Sequence, residues 1–249
     1  SRFIEHMEAP EYKGRWVTDC YLARLIEAAF DQAEGPQFHF STTIQNHMSY
    51  SHDKYGEYRV HLVPLKREID AGARTRLSVY AKGAKDADDM LRGLTEYYES
   101  REEPVMLVFF GDHLPNLGDS YQCYHEIGME VGEGKDPVTT LRTYETPYVI
   151  WVNSPAAELL DFSARKEALG LPEDDMINAN FLGAMTLELT GRREENSFFS
   201  YLNDLRRELP VLHNGTGCTG EGEYFEELPE EYAEDIKKLR FWEYYRLSN

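Results

Sequence analysis

The stretch Pro104-Val-Met-Leu-Val-Phe-Phe-Gly-Asp-His113 constrains the fold more than any other part of the chain, because an unbroken apolar run ends in a glycine, a carboxylate and an imidazole. Val105 to Phe110 lacks the polar alternation of a half-solvated strand and reads as a strand covered on both faces in a parallel sheet. In open α/β sheets ligands collect just beyond the carboxyl ends of strands, which puts Asp112 and His113 where chemistry is usually done. Gly111 allows the close turn that brings two adjacent side chains to one centre. For a bare Asp-His pair the plainer alternative is a turn whose Asp caps a helix and whose His is solvated. The rest of the chain has to decide between them.

Helix and strand signals alternate along that rest. Leu22, Leu25, Ile26, Ala29, Phe30 and Ala33 form one face of a helix over 19–33, stopped by Gly35-Pro36. Gln37 to Ile44 reads as a strand leading to Asn46-His47, and residues 51–65, polar and without a clear period, as a loop. From Tyr80 the spacing Tyr80, Ala84, Ala87, Leu91, Leu94, Tyr98 predicts a long helix with one buried stripe. Pro147 to Val152 reads as a further strand, followed by helices at about 175–189, 197–207 and 230–246. Between the last two, Gly215, Gly217, Gly220 and Gly222 suggest a turn-rich hairpin at a sheet edge. A phosphate-binding glycine loop would need a Lys-Ser/Thr that is absent there. Strand, helix, strand in this order implies right-handed crossovers and a mainly parallel sheet flanked by helices, in a single α/β domain spanning 1–249.

The formal charge of −19, from 45 acidic and 26 basic residues, argues against a nucleic-acid-binding surface, which needs clustered Lys and Arg. Arg192-Arg193 and Arg206-Arg207 are diluted by Glu194, Glu195 and Glu208 and read as solvated helix ends. No stretch approaches the roughly 18 apolar residues of a membrane span, and no signal peptide is evident, so this segment is expected to be soluble. Cys20, Cys123 and Cys218 are too few and scattered for a disulfide framework or a zinc site. Asn214-Gly-Thr216 matches a glycosylation acceptor only formally.

Four motifs in register carry a resemblance. Thr43-Ile-Gln-Asn-His-Met-Ser-Tyr50, the helix with Lys82-Gly-Ala-Lys-Asp-Ala-Asp88, Phe110-Gly-Asp-His-Leu-Pro115 and Thr143-Tyr-Glu-Thr-Pro-Tyr-Val-Ile-Trp-Val152 resemble the carboxyl-terminal part of a lipoteichoic acid synthase-like protein of the sulfatase and alkaline phosphatase superfamily. The resemblance runs from about Trp16 onward. It implies an alkaline phosphatase-like α/β fold and an extracytoplasmic, membrane-anchored parent enzyme that moves phosphoglycerol, or a similar group, from a phospholipid head group to a glycan or polymer acceptor. It also implies that Asp112 and His113 are ligands of a catalytic divalent metal, manganese first, with magnesium or zinc as alternatives. His47 falls on the phosphate-binding histidine of the family motif; the plainer reading is a core histidine satisfied by a backbone carbonyl. His52, His61 and His125 match nothing and read as surface residues.

These residue types suit that chemistry. A phosphodiester is negatively charged, so a nucleophile approaches it once a cation screens its oxygens, and a carboxylate with a neutral imidazole suits a hard or borderline dication. The family's nucleophile is a threonine that forms a covalent phospho-intermediate, and it lies well upstream of the His47 motif. Only 46 residues precede His47 here, and Ser1–Tyr12 shows no strand-to-helix turn presenting a threonine. Thr42 and Thr43 are the nearest candidates but suit packing better, and Thr18 reads as a helix cap. Cys20-Tyr-Leu-Ala-Arg24 mimics the outer residues of a sulfatase nucleophile motif without its proline. The chain is therefore expected to be incomplete on its amino-terminal side, inactive alone, and prone to self-association through unpaired sheet edges. A sulfatase, a phosphoethanolamine transferase or a non-catalytic metal-binding module are the alternatives.

Overall fold

Thr18 starts the first helix as a cap should: its hydroxyl accepts from the Tyr21 N–H, closing one of the four donors a helix leaves open. The computed structural model describes residues 8–134, 136–172 and 174–248. Residues 1–7 of the Ser1–Tyr12 stretch lie outside it. The chain forms two compact units.

The first unit spans residues up to 102, then 107–131 and 146–153. It begins with a short antiparallel hairpin of β1 (Tyr12–Lys13) and β2 (Trp16–Val17), followed by α1 (Asp19–Gln32) and the 29-residue α2 (Ala71–Glu99). The two helices pack together. Phe30 meets the rings of Tyr97 and Tyr98 edge-on, at 6.1 and 5.1 Å between centroids, and the Tyr97 hydroxyl donates to Asp31 at 2.7 Å. α2 starts well before the stripe at Tyr80. Asp70 caps it by accepting from the Ala73 N–H at 2.9 Å. β3 (Met106–Phe110), α3 (Gln122–Glu126) and β4 (Tyr148–Val152) complete the unit, with β3 and β4 paired in a two-stranded sheet. The core joins Ala73 and Val79 of α2 to Tyr50, Tyr55, Leu117, Cys123, Tyr124 and Val131.

Two expectations fail here. Residues 37–44 form no strand: the segment is irregular and lies on the surface, with Phe38 90% and Phe40 73% exposed. No ladder partner meets it among the described residues, and a run rich in Phe and Thr becomes a strand only where its backbone groups find one. β3 is half-buried rather than covered on both faces, and Phe110 is exposed.

The second unit contains α4 (Pro137–Arg142), α5 (Ser154–Leu160), α6 (Phe162–Ala168), α7 (Leu182–Leu189) and α8 (Ser197–Glu208). An antiparallel sheet of β5 (Val211–His213), β6 (Thr216–Cys218) and β7 (Tyr224–Phe225) follows, and α9 (Ala233–Ser248) closes the chain. Asn214-Gly215 is the whole β5–β6 loop, both residues at positive φ, which is the mirror-image turn that matches strand twist. The glycine-rich stretch is thus a hairpin, and it forms its own sheet instead of edging β3–β4. The core here packs Phe181, Ala184, Leu202, Leu205, Leu209 and Ile236. Among the described residues no helix is long and apolar enough to cross a membrane.

Candidate functional site

Gly111 ends β3 against the beginning of β4. Its N–H donates to the Pro147 carbonyl at 3.1 Å, and its own carbonyl accepts from the Thr146 hydroxyl at 2.9 Å. A Cβ at Gly111 would meet the Thr146 Cβ at 3.1 Å, so this approach favours glycine. The chain then turns outward and exposes the next two side chains, Asp112 84% and His113 61%.

Asp112 caps no helix. Its Oδ1 accepts the His113 backbone N–H at 3.0 Å, and its Oδ2 stands 3.6 Å from His113 Nε2. On the other side of the ring Nδ1 lies 2.8 Å from the Leu114 carbonyl. A carbonyl only accepts, so Nδ1 is the donor in this contact, and Nε2 is the nitrogen whose lone pair the neutral ring offers outward. Two ligands on one cation with bonds of about 2.1 Å stand roughly 3 to 3.5 Å apart. The pair is therefore near the spacing a dication needs, with one hard oxygen and one imidazole nitrogen. Among the described residues no group of three or more His, Cys, Asp or Glu side chains is placed to hold a metal. Asp112 and His113 fit a dication as two of its ligands and leave its other positions open.

His47 is exposed, so the buried-histidine alternative fails. Its Nδ1 faces the Met48 carbonyl at 3.0 Å, the same next-residue contact that His113 makes, and its Nε2 is the outer nitrogen here too. The segment around it is tied to the Asp112 turn through Tyr50. The Tyr50 hydroxyl donates to the Asn46 carbonyl at 2.9 Å, its ring meets Tyr80 edge-on, and it shares a core with Leu114 and Leu117. Burial pushes the Tyr50 phenol up to about 12, with Tyr80 and the Asp112 carboxylate adding to the shift. Asp112 is thus close enough to Tyr50 to act on it electrically. His52, His61 and His125 are exposed, as expected, and Thr42 and Thr43 lie exposed outside any strand.

Residues 3–187 match the family model described as Sulfatase. The chain belongs to the sulfatase family. A Rhizobium meliloti (strain 1021) protein named "Putative cyclic beta-1,2-glucan modification protein" is 31% identical over 153 residues, which is 61% of this chain and 24% of that protein. The solved Streptococcus pyogenes phosphoglycerol transferase GacH, in complex with sn-glycerol-1-phosphate, superposes with a TM-score of 0.57 at 21% identity, over 82% of this chain and 45% of GacH. This sulfatase-family chain therefore has the α/β, alkaline phosphatase-like fold, and it spans less than half the length of either relative.

Sequence reasoning missed the supports behind His47. Lys54 is buried: its ammonium donates to the His47 carbonyl and sits 4.1 Å from the centre of the Trp16 ring, 5.2 Å from Tyr55 and 5.6 Å from Tyr50. Burial, then repulsion from Arg15, lowers its pKa to about 8. A lysine in a Tyr-rich loop reads as solvated, and its aromatic surroundings come from separate segments. Gln45 is the other support. Its Nε2 donates to Asp86 at 2.6 Å and its Oε1 accepts from the Asp19 N–H at 3.0 Å. Asp86 also pairs with Lys13 and Lys82; burial works to raise its pKa, and the two ammonium groups outweigh burial and lower it.

Proposed function

We propose that this chain is the metal-binding part of a sulfatase-family phosphoglycerol transferase or phosphodiesterase acting on phospholipid head groups, with a glycan or polymer acceptor. The observation that carries the reading is the exposed pair at the end of β3, Asp112 Oδ2 and His113 Nε2 at 3.6 Å. A bound dication, manganese first, with magnesium or zinc as alternatives, would screen the phosphoryl oxygens and lower the pKa of an attacking hydroxyl. Asp112 supplies an anionic oxygen. His113 supplies a neutral nitrogen already oriented by the Leu114 carbonyl. His47, whose backbone carbonyl is held by Lys54, offers its outer nitrogen, which in protonated form donates to a phosphate oxygen.

No residue of this chain is assigned as the nucleophile; the family's threonine belongs upstream of the His47 motif. In this reading both units are parts of one catalytic domain, the parent protein is membrane-anchored and extracytoplasmic, and the chain by itself is inactive and self-associates. A sulfatase or a phosphoethanolamine transferase would use the same two ligands, since the leaving group is chosen by other pocket contacts.

Manganese titration followed by electron paramagnetic resonance tests the assignment. Two ligands predict weak, saturable binding, with Asp112→Ala and His113→Ala each weakening it roughly tenfold or more. Unchanged manganese affinity in both variants refutes the assignment.

A further inference from the structure

In the second unit, α7, α8 and the turn after α7 bring three guanidinium groups around one carboxylate. Glu188 meets Arg206 at 3.1 Å, Arg193 at 3.4 Å, and Arg207. Arg206 has no exposed side-chain surface and also donates to the Leu169 carbonyl at 2.8 Å. Glu188 is therefore already shared three ways, and Asp204 takes the further contacts of Arg193 and Arg207. Arg165 is differently placed. Its Nε is fixed on the Leu160 carbonyl, while its two terminal nitrogens lie against Gly191, where a Cβ would come within 2.8 and 2.9 Å of them. Arg165 forms no ion pair among the described residues.

Gly191, at φ +76°, and Arg165 border a cavity of about 290 Å³ whose wall also includes Arg193, Glu188 and Glu194. That volume is close to the lower end of ordinary ligand pockets, about 300 Å³. The wall carries Arg165 and Arg193 against Glu188 and the largely exposed Glu194, and Glu188 is already engaged by Arg206 and Arg207 from behind, which leaves Arg165 as the cation to which no wall carboxylate is committed. A planar guanidinium fork with free terminal N–H groups matches the paired oxygens of a phosphate.

We propose that this cavity is an anion site that takes a phosphate group, with Arg165 and Arg193 as its donors and Glu194 as a competing carboxylate at its rim. The phosphate could belong to an ester of the glycerol phosphate kind or be free in solution; the chemistry of capture is shared.

The test is a titration of the EDTA-treated protein with inorganic phosphate, followed by amide NMR, so that no metal at Asp112 and His113 contributes. Saturable shifts centred on Gly191 are expected, and Arg165→Gln should weaken them about tenfold. Glu194→Gln removes the competitor and should tighten binding roughly two- to threefold, a gain that damage to the fold would not produce. Absence of saturable shifts at Gly191, equal titration of wild type and Arg165→Gln, or no gain in Glu194→Gln overturns the proposal. A parallel titration with sn-glycerol-1-phosphate separates the sources: tighter binding than inorganic phosphate points to an ester, equal binding to the free ion, and either supports the site.

Discussion

Asp19 is a carboxylate at odds with its surroundings. It is 2% exposed and neither oxygen finds a partner at hydrogen-bond geometry, the Gln45 backbone giving only partial relief. Burial, reinforced by the charge of Asp86, raises its pKa from 3.8 to about 6. The sign is the reverse of the usual carboxylate. The unfolded chain gives up this proton first, so the contribution is fully present below pH 3.8, falls as pH rises through about 6, and leaves a cost on the order of 2 to 3 kcal/mol above that. Asp19→Asn should melt higher than wild type at pH 7.5 and close to it at pH 4. Equal melting temperatures at pH 7.5 count against the argument. At this scale the placement of Asp112 and His113 side by side just past β3 was legible, because adjacency after an apolar run needs no tertiary knowledge. The burial of Asp19 and Lys54 was not, since a helix N-terminus and a polar loop are normally solvated and only the packing of Trp16, Tyr50, Tyr55 and Gln45 changes that.

Along α2 two glycines separate helix propensity from packing. A Cβ at Gly83 would fall 2.0 Å from Asn46 Oδ1 and 2.3 Å from the Tyr55 hydroxyl, which are bonded to each other at 3.2 Å; at Gly93 it would meet nothing within 4 Å. Gly93→Ala should therefore stabilise by about 0.5–1 kcal/mol in urea unfolding. Gly83→Ala carries the same propensity gain and should still destabilise by about 1–3 kcal/mol, because it wedges the Asn46–Tyr55 pair apart beside His47. Matching gains in both variants would mean that the helix and the His47 segment are not packed this way. Elements with dense local signals were readable: α1, β3, β4, α8, α9 and the glycine-rich hairpin after α8 lie close to where the periodicity and turn residues place them. The start of α2 was obscured by Gly72 and by arginines, and 37–44 shows the limit of composition, since strand-forming residues do not supply the neighbour a strand requires.

For the molecule taken whole, charge and exposed apolar surface act in opposite directions. Phe38 and Phe40 stand open on one segment, while −19 formal charges keep copies apart over a distance that shrinks to about 8 Å at physiological salt. Light scattering should then show association growing as salt rises from low to about 0.5 M, and the double variant Phe38→Ser, Phe40→Ser should abolish that growth. A wild type that stays monomeric at high salt would defeat this expectation. The sulfatase-family fold was legible as four motifs in order; the division into two units was not, because no composition break marks it. One thing the large scale does not have to supply is the aim of the two imidazoles. Each lodges its inner proton on the carbonyl one residue further along, so the direction travels with a few atoms of main chain. Replacing a distant side chain leaves those main-chain contacts in place, and such lesions should spare the aim of the two outer nitrogens even where they loosen what surrounds them.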